Sequence, residues 1–220
     1  MQVLITAGGT FEPIDDVRGI TNRSTGRLGA ALANAFVGHG AQVHLIASEP
    51  LAARSDWLAD SVRVTPSLSY RDLEQALQTA CLEPPDLLLM AAAVADYSPV
   101  PFQGKLSSEA SEQTLILRRN PKLLSSLSAH CQNKTRVVGF KLLSNAPRTQ
   151  LVETALRQIQ AHDLFACVAN DMAEIHHDQH PVTLVRACGQ STRIEGSKQE
   201  TAEQIISVLL SNEHSEAVPF

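Results

Sequence analysis

The chain has 220 residues, of which 44% are hydrophobic and 19% charged, with a formal net charge of -5. This composition suits one globular domain with a full core. It offers no Lys/Arg block for nucleic acid, so no nucleic-acid partner is expected, and no apolar run approaching the ~20 residues that span a bilayer.

In chain order, apolar runs at 3–6, 42–47, 62–65, 86–93, 136–142 and 163–169 predict strands covered on both faces, the habit of a parallel sheet. Helical periodicity falls at 26–39, 69–80, 121–129, 147–162 and 198–211. In the last of these Ala202, Ile205, Ile206, Leu209 and Leu210 form one stripe. The alternation predicts an α/β fold with a doubly wound, mostly parallel, Rossmann-like sheet. Segments 181–187 and 191–196 flank Cys188, Gly189 and Gln190 and predict a C-terminal β-hairpin. Residues 1–212 are expected to form a single nucleotide-binding domain, followed by a loose tail at 213–220. The chain opens on a strand without a charged leader, so neither a signal peptide nor a membrane partner is expected, and the cytoplasm is the expected location. Cys81, Cys131, Cys167 and Cys188 form no C-x-x-C pair and read as reduced core residues.

Two loops break the rhythm. The first strand meets Gly8, Gly9 and Thr10, yet a long polar stretch intervenes before Gly26 and Gly29 open the first helix. The second break, 94–120, contains Pro99, Pro101 and Gly104. Both loops follow predicted strands and therefore converge on the carboxyl edge of the sheet, where ligands of open α/β sheets bind. The fingerprint G-x-G-x-x-G is absent, which argues against a plain dinucleotide turn.

Each motif admits a plain structural explanation beside a functional one. Gly8, Gly9 and Thr10 turn backbone N–H groups toward a possible anion, or simply make a turn. Ser24 or Thr25 is positioned to cap the first helix, while Arg18, Asn22 and Arg23 crowd the same helix mouth and favour an anion there. Ala91, Ala92 and Ala93 leave room for a ligand at a strand end; Asp96 beyond them suits Mg²⁺ or a ribose hydroxyl, or else caps the next turn. Lys105 draws interest only from its place nine residues after Asp96. Phe140 reads as core, and Lys141 is an odd lysine within an apolar run. The cluster of His176, His177, Asp178, Gln179 and His180 raises a metal site against a solvated connector.

Taken in order, GGTFEPIDDVRGITNRSTGRLG, AAAVADYSP, GK, NPKLL, VGFKLL and VANDM resemble phosphopantothenate–cysteine ligase, also called phosphopantothenoylcysteine synthetase, over residues 1 to about 185. STGRLG and GFKLL are similar to the free-standing bacterial form. In many bacteria the ligase is the second half of a bifunctional coenzyme A biosynthetic flavoprotein; this sequence starts at the ligase strand, so neither a decarboxylase half nor a flavin is expected. The resemblance implies that a nucleoside triphosphate, usually CTP, activates 4′-phosphopantothenate as an acyl cytidylate, which the amine of cysteine then attacks. It implies that Asn22 stabilises that intermediate, with Arg18 near the same pocket. Ala92 and Ala93 would border the pantothenate end. Gly8, Gly9, Thr10, Ala91, Ala92, Asp96, Asn120, Pro121 and Phe140 would line the nucleotide, and Asp96 would meet it or its Mg²⁺. Lys105 would neutralise the triphosphate. The partner chain of a homodimer would close the pantothenate pocket. A long loop suits such chemistry, because water would hydrolyse a mixed anhydride.

Two features depart from that pattern. Where the fusion enzymes carry two lysines on the helix before VAND, this helix reads TALRQIQAHD, with Arg157 as its only strong cation beside Gln158 and His162. Lys122 replaces an acidic residue after NP. The phosphate grip is therefore expected to shift, and CTP and ATP both stay open. A catalytically weak nucleotide-binding or pantothenate-binding paralogue is the second reading, and an NAD(P)-dependent oxidoreductase the third.

Overall fold

The structure, a computed structural model, describes residues 1–131, 134–176 and 178–211. The predicted tail at 213–220 and His177 lie outside the described residues. In chain order the elements are β1 (Gln2–Ala7), β2 (Phe11–Pro13), β3 (Gly19–Thr21), α1 (Arg27–Gly38), β4 (Gln42–Ser48), α2 (Glu49–Ala52), β5 (Arg63–Ser67) and α3 (Tyr70–Ala80). There follow β6 (Leu87–Met90), β7 (Tyr97–Pro99), β8 (Leu117–Arg119), α4 (Leu123–His130), β9 (Arg136–Leu143) and α5 (Arg148–His162). The chain closes with β10 (Ala166–Asp171), β11 (Val182–Arg186), β12 (Ser191–Ile194) and α6 (Lys198–Leu210).

Eight strands form the main sheet in the order β12-β11-β10-β9-β6-β1-β4-β5. From β5 to β10 every neighbouring pair is parallel, while β11 and β12 add antiparallel at one edge. The expected doubly wound sheet and C-terminal hairpin are both present. Alternate residues of each inner strand serve opposite faces. Val3, Ile5, Leu87, Leu89, Val138 and Val168 join the core under α1 and α6. Leu4, Leu88, Cys167 and Ala169 join the core under α3, α4 and α5. Pro66 is accommodated because β5 is an edge strand.

Three sequence expectations need correction. The strand predicted over 86–93 stops at Met90, because Ala91, Ala92 and Ala93 turn away to meet the first loop. Neither Ser24 nor Thr25 caps α1: the cap residue is Gly26 in a left-handed conformation, with no side-chain cap bond. Cys81, Cys131 and Cys167 are buried as expected, but Cys188 is exposed in the β11–β12 turn.

Candidate active site

Strands β1 and β6 are neighbours at the point where the strand order reverses, and the two unusual loops leave their carboxyl ends. The chain can turn sharply after β1 because Gly8 has φ +89°, and a Cβ there would lie 2.0 Å from the Ser48 hydroxyl oxygen. The Ala93 N–H donates to the Gly8 carbonyl at 2.8 Å, and the Thr10 N–H donates to the Ala93 carbonyl at 3.2 Å. The Asn22 side-chain amide donates to that same Ala93 carbonyl at 3.0 Å. Two hydroxyls complete the lacing: Thr6 accepts from the Ala92 N–H at 3.2 Å and Thr10 from the Ala95 N–H at 3.1 Å. Gly8, Gly9, Thr10, Asn22, Ala92 and Ala93, all singled out in the sequence, thus meet at one mouth.

The first loop is a structured arm. Strands β2 and β3 pair antiparallel within it. Glu12 is buried and accepts from the Tyr70 N–H at the start of α3 (2.8 Å) and from the Ser98 hydroxyl (2.6 Å). Ser98 in turn accepts from the Asn120 amide at 2.7 Å, and Asn120 also donates to the carbonyls of Ala95 (side chain, 2.9 Å) and Asp96 (backbone, 2.9 Å). Asn120 therefore holds the second loop in shape. Asp15 is buried too. The Arg18 guanidinium, at 3.0 Å from Nε and 2.5 Å from Nη2, holds the Asp15 carboxyl well below the usual carboxylate range. Glu12 and Asp15 were missed in the sequence, where each reads as an exposed loop acid. Their only signal was the Glu-x-x-Asp-x-x-Arg spacing directly behind the glycine turn.

The first turn of α1 opens onto this mouth. Gly26 has φ +73°, and a Cβ on it would stand 2.5 Å from Leu51 Cδ2 and 3.0 Å from the Gly8 nitrogen, so helix and turn are pressed together. The Thr25 hydroxyl reaches the Arg27 N–H only at 3.5 Å. By contrast α3 and α6 carry complete capping boxes, Ser69 with Asp72 and Ser197 with Glu200. A helix start without a side-chain cap keeps its N–H groups and dipole available to an anion.

On the other rim the Asp96 carboxylate is paired with the Lys122 ammonium. Pro121 is exposed beside them. Lys105 is exposed and makes no hydrogen bond or ion pair among the described residues. Phe140 is half-buried and packs against the core under α1 and α6, as a core residue would. On α5, Arg157 is exposed and bonds the Thr154 hydroxyl at 3.1 Å. Gln158 accepts from the Cys167 thiol at 3.3 Å. Burial, together with Lys122, lowers the pKa of His162. Neither Gln158 nor a neutral His162 supplies positive charge. Asp171 of the VANDM motif is buried and accepts from the N–H groups of Asn145, Ala146 and Ala173, which makes it a structural anchor.

The described members of the histidine cluster do not converge on a metal site. Among the described residues no three His, Cys, Asp or Glu side chains could share a metal ion. His176 is exposed, whereas His180 is buried, 3.3 Å from the Asn170 amide, and is not part of a solvated connector.

Comparison with known proteins agrees with this geometry. Residues 1–212 match the model of the DNA/pantothenate metabolism flavoprotein C-terminal domain. The chain is 32% identical, over 93% of its length and 49% of the relative's, to the coenzyme A biosynthesis bifunctional protein CoaBC of Methanocaldococcus jannaschii. The DNA/pantothenate metabolism flavoprotein from Streptococcus pneumoniae has a similar structure, with TM-score 0.86, 28% identity and coverage of 96% of this chain and 99% of that one. The C-terminal domain of a coenzyme A biosynthesis bifunctional protein CoaBC superposes with TM-score 0.76 at 28% identity, covering 94% and 93%. The chain spans about half the length of the curated relatives it matches. With its strand order, its paired loops and a match over nearly the whole sequence, the chain belongs to the family of DNA/pantothenate metabolism flavoprotein C-terminal domains.

Proposed function

We propose that the chain is a phosphopantothenate–cysteine ligase of coenzyme A biosynthesis, using CTP or ATP as co-substrate. The observation that carries this reading is the joining of the two loops at Asn22 and Ala93, directly beside the uncapped start of α1. A mouth walled by two laced loops beside an uncapped helix start suits a reaction that builds a mixed anhydride and must keep water away from it.

In the first step a carboxylate oxygen of 4′-phosphopantothenate attacks the α-phosphorus of the triphosphate. An O–P bond forms, and pyrophosphate leaves with the electron pair of the broken bond. In the second, the cysteine amine attacks the acyl carbon, a C–N bond forms, and the nucleoside monophosphate leaves with the C–O pair while the amine gives up a proton. Lys105, which makes no hydrogen bond or ion pair among the described residues, is a cation for the charge that develops on the phosphates. Asn22, fixed through its amide nitrogen, offers its amide oxygen to accept from an N–H of the incoming amine and so holds it against the acyl nucleotide. Arg18 and Ala93 border the substrate, and Gly8, Gly9 and Thr10 the nucleotide. Asp96 is paired with Lys122, and among the described residues no three His, Cys, Asp or Glu side chains could share a metal ion. Asp96 would therefore hold Mg²⁺ only together with the triphosphate oxygens, where the ion would supply charge neutralisation.

A homodimer fits the exposed apolar side chains of the second loop, among them Tyr97, Phe102, Ile116 and Leu117. Among the described residues no helix is long and apolar enough to cross a membrane, and a cytoplasmic setting fits the substrates. The weaker reading, a paralogue that binds without turnover, draws on Gln158 and His162 in place of cations.

The test is pyrophosphate release from 4′-phosphopantothenate, Mg²⁺ and CTP or ATP, with and without cysteine. Cysteine-dependent turnover that is impaired by Asn22→Ala supports the ligase and identifies its nucleotide. Silence with both nucleotides in folded protein leaves the binding paralogue.

A further inference from the structure

Residues 102–106 of the second loop run beside residues 14–18 of the first and are tied to them at every other position. The Phe102 N–H donates to the Ile14 carbonyl at 2.8 Å. The Gly104 carbonyl accepts from the Asp16 N–H at 3.1 Å, and the Gly104 N–H donates to Asp16 Oδ2 at 3.1 Å. The Leu106 N–H donates to Asp15 Oδ2 at 3.0 Å, and the Leu106 carbonyl accepts from Arg18 Nη2 at 2.9 Å. Asp15 also accepts from the N–H groups of Val17 and Arg18, so its carboxylate ties the turn to itself as well as to the other loop. Each neighbour of Lys105 is thus held by two hydrogen bonds, while Lys105 itself makes none among the described residues.

We propose that Asp15 and Asp16 are positioning residues for Lys105, clamping the backbone on both sides of it so that a flexible lysine is delivered to the phosphates from a fixed base. The reason is entropic. An exposed lysine on a free loop loses much of its freedom when it engages a ligand, and a base fixed in advance removes the backbone share of that loss. The buried Asp15 carboxylate, sealed by Arg18, forms the permanent half of the clamp. Exposed Asp16 is the half that can be altered without disturbing the core. The clamp's purpose rests on the ligase reading, and its test separates the two.

Pyrophosphate release with 4′-phosphopantothenate and the preferred nucleotide is measured for wild type, Asp16→Ala, Asp16→Asn, Lys105→Ala and the double variant Asp16→Ala/Lys105→Ala. Circular dichroism verifies that each is folded at the assay temperature. Asp16→Ala is expected to lower kcat on the order of tenfold with KM for phosphopantothenate within about twofold. Asp16→Asn, which keeps an oxygen acceptor for the Gly104 N–H, is expected to recover the wild-type rate. The double variant is expected to be no slower than Lys105→Ala, because a clamp has nothing to position once the lysine is gone. An active wild type in which Asp16→Ala is fully active, Asp16→Asn is as slow as Asp16→Ala, or the two losses multiply, overturns the clamp alone. A wild type silent with every nucleotide overturns the ligase reading and the clamp's role with it.

Discussion

The side-chain amide of Asn22 donates to the carbonyl of Ala93 at 3.0 Å, binding the end of the first loop to the first residues beyond β6. Gly9 guards this contact, since a Cβ on Gly9 would stand 2.5 Å from the Asn22 carbonyl oxygen. Gly9→Ala is therefore expected to displace Asn22 and lower cysteine-dependent turnover on the order of ten- to a hundredfold. Asn22→Ala is expected to lose on the order of a hundredfold, and the double variant no more than Asn22→Ala. Steady-state assays on the three proteins decide it, and additive losses would separate the two residues.

Lys122 is ion-paired with Asp96 at the rim of the proposed nucleotide site. Under that proposal, removing Lys122 would free a carboxylate for a metal accompanying the triphosphate. Lys122→Ala is expected to lower the Mg²⁺ concentration for half-maximal rate by roughly two- to fivefold, the scale of one exposed charge contact. A magnesium titration of pyrophosphate release reads this directly, and an unchanged or higher requirement would remove Asp96 from the nucleotide site.

Burial, reinforced by Lys198, lowers the pKa of His180 to about 4, and its Nδ1 is buried without a hydrogen-bond partner. The folded protein thus resists protonation that the unfolded chain accepts near pH 6.5. Between those values the unfolded state binds more protons, so stability rises with pH. The contribution is complete above about pH 6.5 and is lost as pH falls toward about 4, by roughly 3 kcal/mol. Urea denaturation across this range is expected to show the slope in wild type and a flatter profile in His180→Asn.

Buried Glu12 accepts from the Tyr70 N–H and the Ser98 hydroxyl and so joins the first loop to α3 and to β7. Glu12→Ala leaves both donors unsatisfied and is expected to cost about 2 kcal/mol. The change appears as a lower denaturation midpoint at unchanged slope. Glu12→Gln, which keeps an acceptor, is expected to lose less.

The central sheet was legible because its strands are short apolar runs bounded by amphipathic stretches, and these signals are local. The runs at 3–6, 42–47 and 136–142 became β1, β4 and β9 within a residue or two. The hairpins β2–β3 and β7–β8 were not legible. Their strands are three residues long, contain Pro13 and Pro99, and are set by the Glu12–Ser98 bridge between loops distant in sequence. Asn22, Asp96 and Asn120 could be singled out from their motifs. Lys122 was noted for replacing an acidic residue after NP, but its pairing with Asp96 was not legible, because an ion pair between loops leaves no periodic trace. The expected cap on α1 failed for a similar reason. Ser24 and Thr25 have the right chemistry, but the close approach of Leu51 and Gly8 demands a left-handed glycine at the next position.

The bonds that assemble the mouth join residues far apart along the chain: Asn22 to Ala93 across 71 positions, Glu12 to Ser98 across 86, and Asp15 to Leu106 across 91. None of them shortens a loop until β1 and β6 are already side by side, so closing them early carries its full entropic cost without reward. The mouth is therefore expected to form late in folding. When unfolded chain is diluted into native buffer, far-ultraviolet dichroism is expected to return first and the proposed turnover to follow after a lag. Simultaneous recovery of the two signals would overturn this order. A newly made chain would thus pass through an interval in which it has its sheet and no chemistry.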